Sequence, residues 1–317
     1  MSELFQETII ISILAATVRI ATPLVLAALG ELITERAGIL NLGIEGTMLM
    51  SAFMAFVGTY VSGSFMVGIL FAMLAGAFMS FIMVFMASTL KVEQVVTGLA
   101  MNMLAAGMSL YLYKAFLAGD TAGVFPTVDV MPTLTLPLLS DIPYVGPILF
   151  TQNALTYFAF LLVPMVWFFL YRTKWGLEIR CLGENPKVID TKGMSVTARQ
   201  YGAVIMGGVL VGLGGAFVTI GSVARFVPEI TAGSGWLALV IVIAGNWRPM
   251  GIVMAALIFA FLNALQLHIQ GVGVELPYQI FLALPYVMAI VLMVLKSGKG
   301  RSEEPARLAV PYFRGET

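Results

Sequence analysis

The sequence is poor in charge. Asp, Glu, Lys and Arg make up 11% of the 317 residues and apolar types 60%, against about 25% and about 45–50% in ordinary soluble proteins. A soluble domain this apolar has too little polar surface to cover itself. Seventeen basic and seventeen acidic side chains cancel, so no overall field draws in nucleic acid. The single cysteine, Cys181, excludes an internal disulfide, and the single histidine, His268, excludes a His-rich metal site. No nucleophile–base pair or metal-ligand spacing stands out, so neither an enzyme nor a metal centre is expected. A GxxxxGK(S/T) phosphate loop is also missing, so the chain binds no ATP in that way. The opening MSELFQE lacks the positive n-region of a cleavable signal peptide, so the first apolar run is expected to be retained.

Long apolar runs are what the sequence has instead. They cover Thr8 to Leu29, Thr47 to Val61, Phe65 to Thr89, Gln94 to Tyr113, Asn153 to Tyr171 and Tyr201 to Gly221. A short one follows from Trp236 to Gly245, then Gly251 to Leu267 and Pro277 to Leu295. A helix crosses a hydrocarbon core with about 20 residues, so this pattern predicts an all-α, polytopic membrane bundle of about 8–10 transmembrane helices. Residues 1–296 form the transmembrane domain and 297–317 a tail. The stretch from Glu31 to Gly46 is too polar for a simple span. It predicts a re-entrant or broken segment in the N-terminal third, or an inward extension of the second helix.

Basic residues set the orientation, because Lys- and Arg-rich loops stay cytoplasmic. Arg172, Lys174, Arg180, Lys187, Lys192 and Arg199 crowd the loop 172–200, and Lys296, Lys299, Arg301, Arg307 and Arg314 the tail. The long loop from Ala115 to Phe150 has neither Lys nor Arg. Loop and C-terminus are therefore both expected in the cytoplasm, with the tail solvated and partly disordered on its mixed composition.

Polar groups inside apolar runs are costly and so are functional candidates. Arg19 is expected either to face protein, in an ion pair with Glu31, Glu35 or Glu45 rather than against solute, or to mark a shift of the span. Asn102 can join helices or line a wet path, and Asn263, Gln266 and Gln270 share one helix face. Asn41 and Glu45 lie in the glycine-rich segment RAGILNLGIEG, either at a broken-helix site or at an ordinary helix start. Trp236 and Asn246 complete the pathway candidates. Gly208 and Gly212, in GxxxG spacing, and Ala72, Gly76 and Ser80 form two small-residue ridges that let helices approach closely.

The loop reads RTKWGLEIRCLGENPKVIDTKGMSVTAR. Asn185 can cap a helix that opens at Pro186, and Gly193 can close it. A short capped helix held among basic residues is a docking element or a simple connector.

The sequence resembles the permease subunits of bacterial ABC importers of the branched-chain amino acid and ribose type, and most of all the branch associated with nucleoside uptake and basic membrane lipoproteins. ATPLVLAALGELITERAGILNLGIEG, the LGENP…G loop and SGWLALVIVIAGNWRPMG carry the resemblance, which covers nearly the whole chain. It implies a multi-pass subunit of the bacterial inner membrane that imports a small polar solute of the nucleoside kind. It implies three partners: a cytoplasmic ATPase that holds ATP and Mg, a second and different permease subunit, and an extracytoplasmic solute-binding lipoprotein. The ATPase would dock on Gly183, Glu184, Asn185, Pro186, Val188, Ile189 and Gly193. Members commonly show two alanines where Val188 and Ile189 stand here. The competing expectation, an ion-coupled carrier acting alone, is weakened because the spans after Glu45 are nearly free of Asp and Glu.

Overall fold

The apolar runs become helices in the computed structural model, which describes residues 7–116, 126–135, 142–271 and 302–314 with scattered positions between them. In chain order these are α1 (Glu7–Arg36), α2 (Ile44–Ser62), α3 (Phe65–Val84), α4 (Gln94–Phe116), α5 (Val145–Leu149) and α6 (Ala154–Arg172). Then come α7 (Lys174–Glu184), α8 (Lys187–Thr191), α9 (Val196–Val218), α10 (Ser234–Ala244) and α11 (Pro249–Gly271). One small antiparallel pair, β1 (Thr133–Thr135) with β2 (Thr151–Asn153), joins the loop before α6 to its start. Short polar side chains set several of the helix starts. Asn153 accepts from Thr156 N at 3.0 Å, Thr173 from Gly176 N at 3.0 Å and Ser195 from Ala198 N at 3.2 Å.

Among the described residues, 7 helices are long and apolar enough to cross a membrane, and α10 is a shorter apolar one. The run Pro277 to Leu295 lies mostly outside the described residues. The chain is thus a multi-pass, all-α membrane bundle.

Its centre is α9, which packs against α1, α2 and α3. The two small-residue ridges meet there. A Cβ on Gly208 would collide with Ser80 and the Gly76 carbonyl, and one on Gly212 with the Ala72 carbonyl. On the other flanks Gly207 meets Gly30, and Gly215 meets Met48. With lipid as apolar as the helices, this close backbone approach replaces the hydrophobic drive that soluble helices use.

Two expectations need correction. The polar stretch from Glu31 extends the first helix, not the second: α1 runs on to Arg36 before a buried break at 37–43. Helix survives there because its acids find partners inside the protein. Glu31 accepts from Asn41 N at 3.0 Å, and Glu35 accepts from the Trp247 indole N–H. Gly38, at φ +83°, then turns the chain. The tail, expected to be solvated, is docked over residues 302–314. Pro305 is buried, and Leu308 and Tyr312 pack against the main core.

Candidate functional site

Eleven residues of α10 rise about 16 Å, half of a hydrocarbon core. Both ends of this half-helix are gripped by the flanks of the α1–α2 break. At its start Glu45 accepts from Thr231 Oγ1 at 2.5 Å, Gly233 N at 2.9 Å and Gly235 N at 2.6 Å. A carboxylate at that point satisfies free N–H groups and sits at the positive end of the helix dipole. Past its other end Trp247 donates to Glu35, and Arg36 donates to the Trp247 carbonyl at 2.7 Å.

The break is itself held by amides. Asn41 Oδ1 accepts from Gly43 N at 3.0 Å, and Gln94 Oε1 accepts from Leu40 N at 2.8 Å. Asn102 Oδ1 accepts from Gly46 N at 2.7 Å while its Nδ2 donates to the Leu42 carbonyl at 2.9 Å. Asn41, Glu45 and Asn102 are therefore committed to fixing backbone at the break. In this structure Asn41 Oδ1 closes the turn to Gly43, Asn102 ties down the start of α2, and Glu45 holds the start of α10.

The remaining pathway candidates separate. Asn263 lines a cavity of about 160 Å³ with Arg19, Ser222, Ser234 and Leu237, between α1, the end of α9, α10 and α11. Arg19 does not pair with Glu31, Glu35 or Glu45, whose carboxylates serve the break and α10; it opens onto this cavity instead. Gln266 is buried one turn beyond Asn263, and the Gln270 side chain lies outside the described residues. Trp236 is at the surface. Asn246 is at the opposite end of α10, where its Oδ1 accepts from Glu303 N at 3.1 Å.

The 172–200 segment folds as α7 and α8. Asn185 Oδ1 accepts from Lys187 N at 3.1 Å, Pro186 sits at φ −63° as the cap, and Gly193 at φ +74° ends the turn. Gly183 lies against α1; a Cβ there would stand 2.5 Å from the Arg36 carbonyl. Glu184 and Asn185 are exposed. Val188 and Ile189 do not form one surface: Val188 is 40% exposed, whereas Ile189 is 2% exposed and belongs to the core. A five-residue helix shows adjacent positions to different sides, so one of them faces inward.

Sequence reasoning missed the hub that joins these parts. Glu303 pairs with Arg36 at 3.2 Å and accepts from Arg248 Nε at 2.8 Å, with Arg248 Nη2 also on the same oxygen. The Arg248 hydrogen bond holds the Glu303 carboxyl below its usual range. Arg307 N donates to the Gly183 carbonyl at 2.8 Å and Ala309 N to the Gly38 carbonyl at 3.2 Å. Tyr312 donates to Asp190 at 3.1 Å, with Arg314 3.4 Å from the same carboxylate. Burial, then the bond to Asp190, pushes the Tyr312 hydroxyl pKa up. The clue in the sequence was Glu303 and Glu304 amid the basic residues of the tail. Their partners are too distant along the chain for any local pattern to indicate.

Comparison with known proteins identifies the family. The family model described as the permease component of the branched-chain amino acid transport system matches residues 13–295. A putative glucose ABC transporter permease of Haloferax volcanii is 38% identical over 83% of this chain and 79% of its own. A guanosine ABC transporter permease of Bacillus subtilis is 33% identical over 96% and 97%. A nucleoside ABC transporter permease of Lactococcus lactis is 32% identical over 88% and 90%. No solved structure matches the chain. The chain that clamps a half-helix at both ends and sets a capped α8 beside its first span belongs to this family of ABC transporter permeases.

Proposed function

We propose that this chain imports a nucleoside, as one of two permease subunits driven by a separate cytoplasmic ATPase and fed by an extracytoplasmic binding lipoprotein. One observation carries the reading. Gly183 before α8 abuts the end of α1, Arg36 of α1 holds the turn after α10, and Glu45 holds the start of α10. A push on α8 thus has a continuous packed path to the half-helix, the kind of two-position element that transport requires. The basic face with α7, α8 and the tail is cytoplasmic in this reading.

Solute passes on the side of Arg19, Ser222, Ser234 and Asn263. Their cavity of about 160 Å³ is smaller than the roughly 300 Å³ at which small-molecule pockets begin. It serves as one wall of a path that the second permease completes. The nucleoside assignment is supported by the guanosine and nucleoside permeases that match most of the chain. Glucose, the solute in the name of the Haloferax volcanii relative, shares with a nucleoside a hydroxyl-bearing ring.

Uptake of labelled guanosine by cells expressing the chain with its ATPase, second permease and lipoprotein tests the reading. Uptake should require all four and be competed by unlabelled nucleosides far better than by glucose. Competition by glucose alone would reassign the solute, and uptake without the ATPase would end the reading altogether. A Glu184→Cys thiol in a Cys181→Ser background should resist a membrane-impermeant reagent in intact cells; ready labelling would invert the orientation.

A further inference from the structure

We infer that residues 305–314 of the tail and α8 form a single docking surface whose occupant is the ATPase subunit; this rests on the reading of α8 given above. The tail is held in place by its own contacts. Arg307 N and Ala309 N bind the carbonyls of Gly183 and Gly38, and Tyr312 and Arg314 engage Asp190 of α8 itself. Where tail and α8 meet they leave a cleft of about 150 Å³, walled by Pro186 and Lys187 on one side and by Val310, Pro311 and Phe313 on the other.

Three apolar side chains of these two segments stay open, Val310 and Phe313 in the cleft wall and Val188 on α8. Val188 is 40% exposed, Val310 43% and Phe313 39%. All three are outside the helices long enough to span a membrane, so hydrocarbon does not account for their exposure, and a protein surface is the fitting cover. Lys187 and Arg307 at the cleft, with Lys91 stacked on the Phe313 ring and Arg314 beside it, give the surface a basic rim. The partner is therefore expected to bring an apolar groove edged with acidic side chains. Because the tail reaches α8, the end of α1 and Arg248 before α11, a partner seated on both would grip three elements at once.

The test uses the whole complex, purified in detergent through this chain, with retained ATPase measured beside uptake in cells. Val310→Asp combined with Phe313→Asp is expected to cut retained ATPase roughly tenfold or more, since losing the burial of two such side chains reaches that factor. Val310→Ile with Phe313→Leu should restore it. Both positions are exposed, so the bundle itself should be unaffected. The inference is overturned if the double Asp variant keeps its ATPase while Val188→Asp loses it. It is also overturned if truncation after residue 301 loses the ATPase while the double Asp variant keeps it, because the tail would then only prop α8. If the double Asp variant and Val188→Asp both keep the ATPase, the reading of α8 fails as well.

Discussion

Glu45 Oε2 accepts a 2.6 Å hydrogen bond from Gly235 N, tying the first turn of α2 to the first turn of α10 across 190 positions of chain. The same carboxylate takes Gly233 N and the Thr231 hydroxyl. Glu45→Ala leaves those donors without their acceptor, at a cost of about 1–3 kcal/mol for each that is buried. Glu45→Gln keeps an acceptor oxygen and should cost less. Thermal unfolding of the purified chain in detergent is expected to rank wild type above Gln and Gln above Ala. Equal midpoints would show that the half-helix does not depend on the clamp.

Asn102 yields a different expectation from a solute-lining residue. Its amide bridges Gly46 N and the Leu42 carbonyl, so Asn102→Leu strands one donor and one acceptor. It should reduce the yield of folded chain and uptake together. Asn102→Asp keeps the acceptor for Gly46 and should be intermediate. A Leu variant that folds at normal yield yet transports poorly would return Asn102 to the pathway.

The α3–α9 contact leaves no room for a side chain. At Gly208 a Cβ meets Ser80 and the Gly76 carbonyl, so Gly208→Leu must spread two helices. The expected loss is about 1–3 kcal/mol or more, read as a lower unfolding midpoint. Gly202→Leu, in open space on the same helix, should be nearly neutral and serves as the control.

How much the sequence revealed varied with the range of the interaction. The Gly208–Gly212 and Ala72–Gly76–Ser80 ridges were legible because their spacing is set by helix geometry, and they turn out to pack on each other. The turn at Asn185 and the stop at Gly193 were legible for the same local reason, although Pro186 and not Asn185 takes the cap position of α8. Asn102 was recognisable as an amide inside an apolar run, but its partners lie 56 and 60 positions away. The tail read as solvated because charge and proline locally imply it, while the groups that hold it, Arg248 and Gly183, belong to other elements. Only tertiary packing decides which side of a five-residue helix faces inward, so Val188 and Ile189 looked alike.

The Glu303 hub carries a pH dependence with a definite sign. Its hydrogen bond to Arg248, and then the charges of Arg248 and Arg36, lower the Glu303 pKa from an ordinary 4.5. A carboxyl depressed in the folded state contributes fully above its unfolded value and loses that contribution as pH falls through the lowered one. Protease cleavage after Arg307 should therefore be slow and constant at neutral pH and speed up only in acid below the ordinary glutamate range. Glu303→Gln should be cleaved faster at neutral pH and lose the acid step. A wild-type tail equally sensitive at all pH values would mean that the hub does not hold it.

The last expectation separates two neighbours that the sequence could not tell apart. Ile189 is 2% exposed, so Ile189→Asp removes a buried side chain worth about 1.5–3 kcal/mol and adds a charge that has no solvent. It should fail to accumulate as folded chain, and its loss of transport says nothing about docking. Val188 points outward, and a surface substitution there shifts stability by only about 0.5 kcal/mol. Val188→Asp should insert and unfold like wild type yet lose retained ATPase and uptake together, while Val188→Ala, which keeps an uncharged apolar face, should retain both. Wild-type transport by Val188→Asp would make α8 a connector. Loss of folded chain in Val188→Asp as well would mean that Val188 is a core residue and not an open face.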